Sequence, residues 1–339
     1  MNRSRQEIIS FLFWTVSITV FGFGDSDSLR LRYIKTYERQ IFFGPVIKQR
    51  TLSFQLKNRY DINRITFRPN NSYSAGIRFN IFGIGIEGSL AIPLATRNTV
   101  RFGNTDVSEF SFNSISNQWL ADFFWQRYTG FYFERSWATL KIKDIHPQAP
   151  GLGVMNSGFS YTYIFNHRKF SIRSPYQFTE HQNKSDGSLL LGFVFSRFKI
   201  FGDTTIILPS DQIYFGEGVN STGLDVVNMS LMPGYSYNFI HKNYFLNLTL
   251  LTGLAHYWIN YDPLNGRKRY DIDLNLAASF RAALGFNGEK YFAGLSFQTQ
   301  KHQAYYKETR ITQSAGSFRL VAGIRFRERG IFTKRLSDF

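Results

Sequence analysis

The chain has 339 residues, with 40 Lys and Arg against 24 Asp and Glu, 36 Phe, 19 Tyr, only 9 Pro and no Cys. Without cysteine there are no disulfides, thiolate nucleophiles or cysteine metal sites, and past the N-terminus no run approaches the ~20 apolar residues of a membrane helix. The net charge of +16 is spread through turns, loops and the polar phase of strands, so outer-membrane lipid and lipopolysaccharide, not nucleic acid, are the expected partners.

Residues 1–24 read as a secretory signal peptide. Arg3 and Arg5 precede an apolar stretch from Ile8 to Phe23, and Gly22-Phe23-Gly24 offers a small-x-small cleavage site before Asp25. A retained anchor is the rival reading, but Thr15, Ser17, Thr19 and Gly22 interrupt the apolar run. A barrel domain is then expected over 25–326 and a basic tail over 327–339.

Past residue 50 the main signal is period-two alternation in segments of about ten residues, the length a tilted strand needs to cross a bilayer. Strands are predicted near 50–58, 73–81, 84–92, 117–126, 129–136, 157–166, 169–177, 188–198, 204–208, 229–239, 244–254, 272–286, 290–301 and 315–326. The clearest has Ile272, Leu274, Leu276, Ala278, Phe280, Ala282, Leu284 and Phe286 on one face. Asp273, Asn275, Ser279 and Arg281 lie on the other.

Short turns are expected at Phe82-Gly83, Arg127-Tyr128, His167-Arg168, 240–242 and 287–289, and long loops over 93–115, 137–156 and 258–269. The fold class is therefore all-β, an antiparallel transmembrane β-barrel of about fourteen strands, with twelve as the alternative. The localisation is the cell outer membrane. A last strand ending on Phe326 suits the barrel assembly machinery, and the barrel is expected to be a monomer.

Several stretches resemble a family of uncharacterised Gram-negative outer-membrane barrels defined only as a domain of unknown function. They are Trp125-Gln126-Arg127-Tyr128 with Gly130-Phe131-Tyr132, Tyr161-x-Tyr163-Ile164-Phe165-Asn166 with Phe170-Ser171, Gln182-x-Lys184-Ser185-x-Gly187-Ser188, and Gly234-Tyr235. The resemblance covers about 35 to Phe326. It implies architecture and no activity.

No catalytic, cofactor-binding or metal residues are predicted. The six histidines lack a Ser and a carboxylate at a spacing that one strand pair would join, and there is no His-x-His pair, HExxH or calcium loop. Trp119, Trp125, Tyr128, Trp137, Tyr244, Trp258, Tyr261 and Tyr291 are expected as girdles at the membrane surfaces.

The chemically informative phase is polar. Arg78, Glu87, Asp122, Gln126, Glu134, Asp273, Arg281, Arg319 and Arg325 are expected to line the lumen. There they either pair and plug it or face water and set ion preference. The leading reading is a structural or narrow-channel barrel, the alternatives being a lipid- or glycan-modifying barrel enzyme and a surface binding protein using its outer loops.

Overall fold

The structure, a computed structural model, describes residues 28–37, 40–71, 73–81, 84–138, 145–215, 221–263 and 267–327. The signal-peptide reading of 1–24 and the tail beyond Arg327 lie outside the described residues.

The strands are β1 (Ile34–Thr36), β2 (Gln40–Asn58), β3 (Arg64–Arg68), β4 (Ser74–Ile81), β5 (Ile84–Ala91), β6 (Asp106–Ile115), β7 (Trp119–Arg135) and β8 (Gln148–Ile164). They continue with β9 (Glu180–Gln182), β10 (Asp186–Phe201), β11 (Ser221–His241), β12 (Tyr244–Pro263), β13 (Arg269–Asn287), β14 (Tyr291–Tyr306) and β15 (Thr309–Arg327). Among the described residues no helix is long and apolar enough to cross a membrane.

Ten strands, β2, β3, β7, β8 and β10 to β15, form a closed antiparallel ring, with β4, β5 and β6 attached outside that circuit. β15 closes on β2 from Gln40↔Arg327 to Asn58↔Thr309, which satisfies backbone groups that an open sheet would leave unpaired. Gln40 and Arg327 mark what is called below the terminal end of the barrel. The opposite end is the far end.

Alternation in sequence becomes two faces of one wall. On β12, Leu246, Leu248, Leu250 and Leu254 are exposed outside, whereas Phe245, Asn247, Thr249 and Leu251 are buried inside. On β13, Ile272, Leu274 and Leu276 point outward. Charge on the outer wall gathers toward the far end, where exposed Arg127 and half-buried Lys199 flank Met155 and Arg197 Nε bonds Asp225 at 2.8 Å.

The strand count departs from the predicted fourteen for local reasons. Segments 117–126 and 129–136 are one strand, because Arg127 and Tyr128 pair with β6 on one side and β8 on the other. Segment 169–177 is a turn and a short helix, Arg173–Gln177, where Pro175 could not donate to a ladder. Segment 204–208 is irregular and turns Ile206 and Ile207 into the interior. The predicted loop 93–115 contains a helix, Thr96–Phe102, and then β6.

The wall divides unequally along its height. β2 pairs with β3 over Phe54–Lys57 and with β4 over Phe42–Lys48. β7 pairs with β3 over Tyr132–Arg135 and with β6 over Leu120–Thr129. Near the terminal end, therefore, β5 extends the sheet from β4 and β6 extends it from β7. Among the described residues β5 and β6 do not pair with each other.

Candidate functional site

The interior is built in three layers. Toward the far end it is apolar. Phe54 stacks on Phe67 with centroids 4.5 Å apart and meets Phe131 and Phe198 edge-on at 5.8 and 6.1 Å. Tyr257 and Tyr306 are fully buried among them. Segment 202–215 folds over this layer, fixed by Arg135 Nε to Asp211 Oδ2 at 2.9 Å. A cavity of about 290 Å³ remains beside it, lined by Phe67, Phe133, Ile206 and Asp203 among others.

The middle layer is polar and hydrogen-bonded across the lumen. Gln313 of β15 donates to Asn156 of β8 at 2.9 Å, and Asn156 donates to Gln126 at 3.0 Å. Arg281 Nη2 reaches Asp122 Oδ2 at 3.1 Å. β7 and β13 stand on opposite sides of the ring. Asp122 also accepts from Ser160 and Asn113, so the charge of this half-buried carboxylate is compensated.

The third layer closes the terminal end with the chain itself. Residues 165–185 enter the barrel, and β9 within them pairs with β1. Glu180, only 1% exposed, receives Arg30 at 2.8 Å and Arg173 at 3.3 Å, with a hydrogen bond from Ser171 Oγ. Tyr176 donates to Asn247 at 2.9 Å, and Asn287 Nδ2 donates to the Glu180 carbonyl at 2.8 Å. Phe178 stacks on Phe292 at 4.8 Å and packs against Phe245. These contacts tie the inserted segment to β12, β13 and β14.

The residues predicted for the lumen fall into separate groups. Arg78 and Arg319 both donate to the Tyr176 carbonyl, at 3.3 and 3.4 Å, and Arg319 also bonds Glu87 at 2.6 Å. Arg325 donates to the Phe178 carbonyl at 2.8 Å and lies 4.1 Å from the Tyr37 ring centre. Asp273 accepts from the Tyr305 amide at 2.8 Å near the far end.

Glu134 departs from the expectation. A bulge between Thr129 and Phe131 shifts the register of β7, so Phe131 and Phe133 are buried and Glu134 stands partly exposed beside Arg68, 3.6 Å away. A one-residue shift exchanges the two faces of a strand. The girdle reading changes likewise for Tyr128 and Tyr261, which are buried, whereas Tyr244, Tyr291 and Trp258 are exposed.

Among the described residues no hydrogen bond joins a histidine to a serine hydroxyl or a carboxylate, and no cluster of three His, Asp or Glu could hold a metal. His181 Nδ1 lies 2.8 Å from the Asn287 carbonyl, His302 is buried and His256 packs on Trp258. Sequence reasoning missed Glu180, Lys48 and Tyr176. For the inserted segment a signal existed, since Pro175 breaks the alternation of 169–177.

A family described as Domain of unknown function (DUF4421) matches residues 25–326. The chain belongs to this family. Among solved structures it is similar to the outer-membrane protease OmpT of Escherichia coli at 8% identity, with a TM-score of 0.39 over 86% of this chain and 98% of that one. It is also similar to the attachment invasion locus protein Ail of Yersinia pestis, at 12% identity and a TM-score of 0.24 over 85% and 98% of the two chains. The Pseudomonas putida toluene transporter TodX is a third, at 8% identity and 0.21 over 86% and 91%. No curated protein matches the chain.

Proposed function

We propose that the protein spans an outer membrane as a plugged barrel, whose resting state does not conduct and in which any passage requires residues 165–185 to move. The observation that carries this is the inserted chain itself, folded around buried Glu180 by Arg173 and Ser171, tied to the N-terminal segment by Arg30, and tied to the wall of the terminal end by the Tyr176–Asn247 and Asn287–Glu180 hydrogen bonds. The apolar layer at the far end supports the same reading.

Membrane insertion is supported by the outer wall. Leu246, Leu250, Leu274, Leu276, Leu189, Leu231 and Phe318 belong to an exposed apolar surface that spreads over neighbouring strands from β10 to β15. Contiguous apolar patches beyond a few hundred Å² are rare on soluble monomers. By analogy with barrels whose short turns and termini are periplasmic, the plugged end faces the periplasm.

Conductance of the refolded protein in a planar bilayer tests the proposal. The unmodified chain should insert without steps, whereas Glu180→Ala, which leaves Arg30 and Arg173 without their carboxylate, should produce intermittent openings. Steady steps from the unmodified protein, with an ion preference altered by Arg281→Glu, would overturn it and restore the open-pore reading.

A further inference from the structure

Lys48, Arg78 and Arg319 surround a single carboxylate, Glu87. Lys48 Nζ lies 3.3 Å from Glu87 Oε1 and Arg319 Nη2 lies 2.6 Å from Oε2. Arg78 is 9% exposed, and its one hydrogen bond among the described residues is the Tyr176 carbonyl, which Arg319 shares. Among the described residues, three cations against one carboxylate leave an excess of two positive charges. A guanidinium carries five N–H donors, and placing two of them on one carbonyl in a low-dielectric interior is unfavourable unless a further acceptor arrives.

Among the described residues the wall beside this cluster is open. Glu87 belongs to β5, whose only pairing among those residues is with β4. Across the gap β6 pairs, among the described residues, with β7 alone, and Ser111 and Asn113 on its inner face are exposed. Arg50 bridges toward this strand, with Nη2 2.6 Å from Ser111 Oγ and Nη1 3.6 Å from Glu109 Oε1. On the outer side of the same strands Leu90, Phe110 and Phe112 are exposed. The seam thus has an apolar rim outside and a cationic floor inside, in the half of the wall nearest the terminal end.

From this juxtaposition we infer that the seam between β5 and β6 admits an anionic lipid from the side, with its phosphate headgroup held by Arg78, Arg319 and Lys48. An amphiphile fits because its chains can remain in the apolar rim while only the headgroup crosses. The lipid source rests on the membrane-spanning reading above, whereas the phosphate site does not.

The full chain, refolded in zwitterionic detergent micelles, separates these possibilities. Micelles doped with phosphatidylglycerol should transfer lipid to the protein in preference to phosphatidylcholine, read by native mass spectrometry. Arg78→Gln should weaken retention about tenfold, the scale of one charged hydrogen bond, without lowering the melting temperature. Glu87→Gln, which removes the competing carboxylate, should strengthen retention, and this opposite sign keeps the test decisive if the first variant folds poorly. Equal binding of both lipids, or retention unchanged in Glu87→Gln and in folded Arg78→Gln, would overturn the site. If inorganic phosphate binds with the same dependence on both substitutions while phosphatidylglycerol is not retained, the phosphate site stands and the lateral lipid route is overturned. Failure of the conductance experiment would leave the micelle result unaffected.

Discussion

At the scale of single residues, the lumen is governed by which charges meet. Asp122 and Arg281 are far apart in sequence and on opposite sides of the ring, yet they form one ion pair with side chains 23% and 11% exposed. Arg281→Leu removes the cation and leaves the carboxylate in place. The expected cost is about 2 kcal/mol, below the ~3–5 of a fully buried pair because both groups retain some access to water. Equilibrium urea unfolding in micelles checks this, and an unchanged midpoint would show that Arg281 contributes nothing from the lumen. Replacing both residues by Leu should recover part of the loss, since no charge is then stranded. The polar phase of β13 was legible from alternation alone, but the partner of Arg281 was not, because strand periodicity says nothing about the opposite wall.

At the scale of elements, one glycine decides how β7 is used. Gly130 has φ +90°, a region side chains rarely adopt, and an added Cβ would lie 2.2 Å from the Asn104 carbonyl oxygen. The Thr105 hydroxyl also donates to the Gly130 carbonyl at 2.7 Å. Gly130→Ala should therefore cost about 1–3 kcal/mol and loosen the start of β6 from β7. Faster amide exchange at Val107 and Glu109, with little change on β12, is the expected signature. The same bulge puts Glu134 out of phase with Asp122 and Gln126, which precede it on β7. The expectation is a turn at Arg127-Tyr128 followed by a regular strand over 129–136, whereas the chain continues as one strand whose phase reverses at the inserted residue. Segments 169–177 and 204–208 misled differently. Each has apolar side chains at strand-like spacing, but these pack inside the ring rather than against lipid.

At the scale of the whole molecule, the plug couples both ends of the chain to the wall. His181 lies where β9 meets β1 and the Asn287 carbonyl. Burial holds its imidazole below the ordinary range. The nearby Arg325 and Lys35 charges add to this, while the Asn287 hydrogen bond and Glu289 oppose it. A proton therefore binds less tightly in the folded plug than in the unfolded chain, whose imidazole titrates near ~6.5. The contribution of neutral His181 is fully present above about pH 6.5 and is lost as pH falls through the lower folded value. Thermal melting from pH 8 to 5 should show the plug weakening below about 6.5, and His181→Gln should flatten that dependence. An identical pH profile in the variant would assign the effect to other groups.

The sequence by itself determined that this is an all-β chain with one apolar and one polar face per strand. Alternation is a local property, and on β12, β13 and β15 it carries through to the wall without interruption. Family membership was likewise legible from short aromatic and glycine-containing stretches. Only the tertiary structure decided that ten strands close the ring, that 165–185 fill it, and that Arg78 shares one carbonyl with Arg319. Closure and plugging depend on pairings between distant segments, such as Gln40 with Arg327 and Arg30 with Glu180. The free energy of such contacts appears only when the chain ends meet, so no window of neighbouring residues contains it.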